Sequence, residues 1–209
     1  TPLYSSAASD VYKRQRFSFC WQPSGYLPKQ KIIRWVPAFL KPSLPFLEED
    51  ISQSRQNLLA QFIQPYSEME TLLPQREKIP PSRPVLFIFH WSRCGSTLLS
   101  GSFMLQPECK VLSESMLASD LLADPHWASQ QEEVLDLAIR LQGRFRHEEE
   151  KLVVKCNAWD LQYWKVWLKV FPSAQIVCLI REPKDILASH HHLAGRHMVK
   201  QTPAIWSDT

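Results

Sequence analysis

The residues of this chain best suited to chemistry crowd into one short loop, His90-Trp91-Ser92-Arg93-Cys94-Gly95-Ser96-Thr97. The loop follows an apolar run at 85–89 and precedes an amphipathic pattern that predicts a helix over 96–105. A strand that passes through a tight loop into a helix N-terminus aims backbone N–H groups, and the positive end of the helix dipole, at one point. That point suits an anion. Ser96 and Thr97 add hydroxyl donors, and Arg93 adds a planar fork matched to phosphate or sulfate oxygens. Gly95 lets the backbone approach a ligand closely. The pattern is not a nucleoside-triphosphate loop, which requires G-x-x-x-x-G-K-[ST]. His90 stands where its first Gly belongs and Ser96 where its Lys belongs. An ATPase or GTPase is disfavoured on that ground.

A second anion-binding pattern lies downstream. The apolar stretch 174–180 leads into Arg181-Glu182-Pro183-Lys184-Asp185-Ile186-Leu187-Ala188-Ser189, which fits R-x-P-x-D-x-x-x-S. Two further residues sit where strands should end. Glu114 follows a short strand expected near 110–112, and Lys155 closes one expected over 152–154. Glu114 reads either as a general base or as a cap on a helix over 115–123, where an acid suits the first turn.

Taken in order, the two motifs resemble those of the sulfotransferases that use 3′-phosphoadenosine 5′-phosphosulfate, with a layout similar to bacterial and tyrosylprotein or carbohydrate-type members. The resemblance spans roughly 85–195. It implies that Arg93, Cys94, Gly95, Ser96 and Thr97 hold the 5′-phosphosulfate, and that Arg181 and Ser189 hold the 3′-phosphate. It implies a catalytic set of Arg93, Glu114 and Lys155. Glu114 lies 21 positions after Arg93, the offset at which tyrosylprotein sulfotransferases carry their catalytic Glu. Many relatives carry K-x-P or K-D-P at the third strand, where the Lys assists departure of the leaving group. This chain has Lys155-Cys156-Asn157, without the Pro. The implied reaction moves a sulfuryl group to a hydroxyl or amine by in-line displacement and uses no metal. The acceptor is a small molecule, a carbohydrate or a peptide. Two alternatives stay open: a P-loop small-molecule kinase using ATP and magnesium, and a non-catalytic nucleotide-binding relative.

The elements that must position these residues alternate from residue 85 onward: strand, helix 96–105, strand, helices 115–123 and 131–146, strand, helix 159–170, strand 175–180, and a helix from about Lys184. This order predicts an α/β fold, a three-layer P-loop-type parallel sheet flanked by helices. Ligands of such sheets bind beyond the carboxyl ends of the strands, where both motifs lie. Val134, Leu137, Ala138, Leu141 and Phe145 form the expected core stripe of the longest helix. Leu161, Trp164, Leu168 and Phe171 form that of helix 159–170. Eleven of the 16 prolines precede residue 85. They predict an irregular Pro-rich extension over 16–84, with a short strand at 31–36 and one helix at 52–64 showing Leu58, Leu59, Phe62 and Ile63 on one face. Trp21, Trp35, Phe39 and Phe46 are expected to pack on the main domain. Residues 1–15 read as a non-native leader. Residues 85–209 read as a nucleotide-binding domain incomplete at its C-terminus, so the chain is expected to be a fragment.

A net charge of +3 over 209 residues, with no dense Lys/Arg run, argues against a nucleic-acid partner. No apolar run is long enough to span a membrane. The five cysteines are scattered and form no C-x-x-C pair, which suits reduced thiols in the cytoplasm; a Golgi-type lumenal parent stays open. His190, His191 and His192 point about 100° apart on a helix and do not converge on a metal. His90, at the loop entrance, reads as a ligand contact or as a hydrogen-bonded, half-buried ring.

Overall fold

A computed structural model describes residues 21–38, 44–146 and 148–192. The expected leader at 1–15, Cys20, Phe39 and the segment after His192 lie outside the described residues.

Strands β4 (Pro84–His90), β5 (Cys109–Ser113), β6 (Lys151–Lys155) and β7 (Gln175–Leu179) form a parallel sheet in the order β5-β6-β4-β7. Alternation along each strand separates two cores. Leu86, Ile88, Val111 and Val153 face one way and pack on Leu99 and Phe103 of helix α4 (Ser96–Met104). Phe87, Phe89, Leu112, Leu152 and Val154 face the other way. There they meet α5 (Met116–Ala123), α6 (Gln131–Gln142) and α7 (Trp164–Val170). The result is the expected three-layer arrangement, with α8 (Pro183–His192) following β7. Register aligns the strand ends: Ser113 pairs with Lys155, Ile88 with Lys155 and His90 with Leu179. The chain leaves β4 for the far edge at β5, then crosses from β6 over β4 to β7. The connections from β4 and β6 therefore run in opposite directions, the arrangement in which sheets of this kind form a ligand crevice at the carboxyl end.

The Pro-rich extension is more regular than its composition suggests. β1 (Trp21–Leu27), β2 (Ile32–Pro37) and β3 (Tyr66–Glu68) form an antiparallel sheet with β2 in the middle. Pro23 is accommodated because β1 is an edge strand, and the register shifts between Pro23 and Gly25. Tyr26, Ile33 and Val36 join the same core as Phe87 and Leu112. Trp127 Nε1 donates to the Tyr26 hydroxyl, which donates to Asp124 and fastens β1 to the main sheet's helices. Trp21 is buried and Trp35 packs on this core, as expected of them.

Three local expectations need correction. The single helix at 52–64 is two, α1 (Leu47–Arg55) and α2 (Leu58–Phe62). Asn57 breaks it by accepting the Leu59 N–H with its side chain. The shared face of Leu58, Leu59, Phe62 and Ile63 is turned largely outward: Phe62 is 84% exposed. The segment at 159–170 begins as a 3₁₀ turn (Ala158–Tyr163) and becomes α7 only at Trp164. The tighter turn changes the phase of the helix face, so Trp167, not Trp164, enters the core (1% against 45% exposed) and stacks edge-on to Phe87 at 5.3 Å. Helix α6 ends at Gln142, which leaves Phe145 outside its stripe. A short helix α3 (Met69–Leu72) and a 3₁₀ turn (Leu73–Lys78) lead into β4.

Burial gives this fold a distinctive pH profile. It pushes the Asp120 carboxyl up to about 7, with Glu48 and Asp160 adding repulsion. It pushes Asp160 up to about 6. It also brings Lys110 down to about 7, with repulsion from Arg146 contributing. Between the unfolded carboxylate value and about 7 the native state therefore holds more protons than the unfolded chain, and stability falls as pH rises. Above about 7 Lys110 reverses the sign, because the unfolded chain then holds the extra proton. Denaturant midpoints should pass through a minimum near neutrality. Asp120→Asn should flatten the acid limb, whose Asp120 share is at most about 4 kcal/mol. A urea series at several pH values checks this, and a midpoint that rises from weakly acidic to neutral pH contradicts it.

Candidate active site

The loop after β4 owes its path to two left-handed residues, Arg93 (φ 62°) and Gly95 (φ 85°). Gly95 adopts that region without penalty, whereas at Arg93 the conformation is strained and marks a position held by its surroundings. The restraints are visible. Trp91 N–H donates to Leu179 O at 3.0 Å, which ties the loop to the end of β7. Arg181 Nη1 donates to the Arg93 carbonyl at 3.2 Å. Arg93 Nε donates to Ser189 Oγ at 2.8 Å. The two sequence motifs, 96 positions apart at that contact, thus interlock at one end of the sheet. Arg181 also lies 3.8 Å from Asp185, one helical turn on.

Gly95 is the N-cap of α4, and no side chain caps that helix. Ser96 and Thr97 are its first residues, so the capping role that hydroxyls often play is not theirs. The N-terminal amides keep their orientation toward the crevice. Ser96 is buried and Cys94 is a free, half-buried thiol.

The second half of the site is built on β5 and β6. Lys155 has no exposed side-chain surface, and its Nζ lies 2.7 Å from Glu114 Oε1. Nζ also donates to Thr97 Oγ1 at 3.0 Å, which joins this ion pair to the loop. The same ammonium sits 4.8 Å over the Phe46 ring, a cation–π contact supplied by the N-terminal region. Glu114 N–H donates to Lys155 O at 2.8 Å. Like Arg93, Glu114 stands at positive φ (55°), which turns the chain sharply as it leaves β5. Ser115, not Glu114, caps α5 and accepts the Ala118 N–H, so the capping alternative for Glu114 falls away. Burial works to raise the Glu114 pKa. The neighbouring His90 ring and the attraction and hydrogen bond of Lys155 together outweigh it, and the carboxyl titrates below its ordinary value.

Under this pair lies a buried polar network that sequence inspection did not find. Asn157 Nδ2 donates to Ser115 O at 3.1 Å and to Ser119 Oγ at 2.8 Å. Ser119 Oγ donates to Asp160 Oδ1 at 2.6 Å, and Asp160 Oδ2 accepts the Asn157 N–H at 2.8 Å. Ser115 Oγ donates to Gln142. The network fixes the residue after Glu114 and the residue two beyond Lys155, and so holds both ends of the ion pair. Its signal was present as the spacing N-x-x-D at 157–160, a capping box. Asn157 occupies the position where the resembled motif carries Pro, and here it is a member of this network.

All the residues singled out for chemistry lie at the carboxyl end of one sheet. Arg93, Arg181 and Ser189 gather on one side, and Thr97, Lys155 and Glu114 on the other, with the loop and Gly95 between them. Lys155 is a bridge between Glu114 and the loop rather than a free cation. Among the described residues, no group of three or more His, Cys, Asp or Glu gathers as a metal site. None of their helices is long and apolar enough to cross a membrane. No protein-family model matches this chain, and no curated protein matches it.

Proposed function

We propose that this protein is a sulfotransferase that moves a sulfuryl group from 3′-phosphoadenosine 5′-phosphosulfate to a hydroxyl or amine by in-line displacement. The observation that carries the reading is the contact of Arg93 Nε with Ser189 Oγ at 2.8 Å, which unites two anion-binding motifs in one crevice. A donor with phosphate groups at both ends of its ribose fits two such motifs at once. The uncapped amides of α4 and the Ser96 and Thr97 hydroxyls suit the 5′-phosphosulfate. Arg181 and Ser189 suit the 3′-phosphate. Arg93 serves both as a ligand and as the link between the two subsites.

Transfer also requires a group that takes the acceptor's proton and cations near the developing charge. Glu114, kept ionised by Lys155, supplies the first. Arg93 and the Lys155 ammonium beside Thr97 supply the second. The donor leaves as a stabilised phosphate, so this chemistry calls for no metal. A kinase reading lacks the Lys that should follow Gly95. The free cysteines, with Cys178 exposed, favour a reducing compartment such as the cytoplasm. The acceptor is a small molecule, a carbohydrate or a peptide.

Adenosine 3′,5′-bisphosphate should raise the melting temperature well above the shift given by equal AMP or by ATP with magnesium. At 100 times its dissociation constant a ligand adds about 2.7 kcal/mol. Equal shifts for all three nucleotides contradict the reading, and a largest shift with ATP and magnesium favours a kinase.

A further inference from the structure

The transfer chemistry leaves the His90 ring without a task. His90 closes β4 at 5% exposure. Its Nδ1 lies 3.1 Å from the Trp91 carbonyl oxygen. A carbonyl only accepts, so Nδ1 carries the ring hydrogen in that contact. In the neutral ring Nε2 then keeps a lone pair. Nε2 is buried, makes no hydrogen bond among the described residues, and stands 3.5 Å from Glu114 Oε1. Two acceptors face each other across a gap that a single proton would fill.

The charges around this gap decide where the proton rests. Glu114 approaches from the turn after β5 and Lys155 from the end of β6, and the Lys155 ammonium already neutralises the carboxylate at 2.7 Å. With His90 charged as well, two buried cations would face a single carboxylate. During transfer the balance changes. Glu114 receives the acceptor's proton, yet Lys155 at the same oxygen makes a neutral carboxyl a poor place to keep it.

We propose that His90 takes up, through Glu114, the proton that the acceptor releases during transfer. The inference rests on the transferase reading and deepens it. The acceptor's O–H or N–H bond breaks, and the electron pair freed on its oxygen or nitrogen forms the new bond to sulfur. The sulfur–oxygen bond to the nucleotide breaks, and its pair stays on the leaving phosphate. The proton passes to the Glu114 carboxylate and on to His90 Nε2, where an N–H bond forms. The imidazolium then donates from Nδ1 to Trp91 and from Nε2 to Glu114, and the carboxylate is ionised again beside Lys155. His90 acts through Glu114 and is a positioning residue, not a catalytic one. An ordinary glycine in its place would leave Glu114 without this outlet.

Nitrogen NMR of the histidine rings, with His90 assigned by comparison with His90→Gln, reads the resting state without any turnover. The expected result near neutral pH is a neutral ring protonated at Nδ1 and bare at Nε2. A ring protonated at Nε2 overturns the proposal. The kinetic arm compares wild type with His90→Gln, whose amide can donate to Glu114 but takes up no proton. Transfer should fall about 100-fold, with the dissociation constant for adenosine 3′,5′-bisphosphate and the melting temperature little changed. Wild-type turnover in His90→Gln overturns the proton route alone. A wild type that binds the bisphosphate but transfers nothing to any acceptor overturns the transferase reading, and the route with it.

Discussion

Lys155→Met should cost both stability and turnover, and the stability loss should grow as pH rises. In the native protein the ammonium is wholly buried, 2.7 Å from Glu114. Methionine fills the space but leaves a half-buried carboxylate with no counter-ion on that side. Breaking a buried pair from one end costs about 3–5 kcal/mol. The sign follows from Glu114. With Lys155 present its pKa is depressed, so its contribution to stability exists above the unfolded value and fades as pH falls through the folded one. Without Lys155, two of the influences that oppose burial, the largest influence on this group, are gone, and the folded pKa rises. The variant's deficit relative to wild type should therefore grow from weakly acidic to weakly alkaline pH. Paired urea titrations at the two ends of that range measure it, and a deficit independent of pH contradicts the assignment. Turnover should fall about 100-fold at neutral pH, because the base loses the counter-ion that keeps it ionised and a cation is lost from the loop.

Glu114→Gln should lower sulfuryl transfer by about 10²–10⁴-fold while leaving the affinity for adenosine 3′,5′-bisphosphate close to that of wild type. The two effects separate because Glu114 belongs to the Lys155 half of the crevice and not to the Arg93–Arg181–Ser189 half. The glutamine oxygen still accepts from Lys155, but the ability to take a proton is gone. Single-turnover rates with a simple hydroxyl acceptor, set beside calorimetric binding of the bisphosphate, read the two separately. Retained turnover would place the base elsewhere.

What could be read from the sequence was what is local. The change of hydrophobic period at 85–105 and at 174–189 located both strand-to-helix junctions, and each motif is a run of neighbours. The positions of β4 to β7 followed from alternation of strand and helix patterns, and the parallel sheet from that order. Contacts between distant residues were not legible. Glu114 and Lys155 meet because β5 and β6 pair in register and because Glu114 turns out of β5 at positive φ; neither fact has a one-dimensional signature. Phe46 reaches Lys155 from a segment whose prolines hid its order. The strand expected at 31–36 is β2, but its partners β1 and β3 escaped for the same reason, since proline on an edge strand looks like proline in a loop. Trp164 was favoured over Trp167 because an α-helical period was extended through a stretch that folds as 3₁₀. The role of Asn157 was obscured by reading its position as a missing Pro, when its amide is a node of the network beneath the site.

The claim on which the account depends is that one nucleotide spans two anion subsites, one at the loop after β4 and the other at Arg181 and Ser189. Calorimetric dissociation constants for adenosine 3′,5′-bisphosphate and for AMP, each in wild type and in Arg181→Ala, test it directly. The account predicts that wild type prefers the bisphosphate by at least about tenfold, the worth of one charge-assisted contact, and that Arg181→Ala abolishes this preference while AMP binding stays nearly constant. A wild type indifferent to the 3′-phosphate, or a preference that survives in Arg181→Ala, would contradict it.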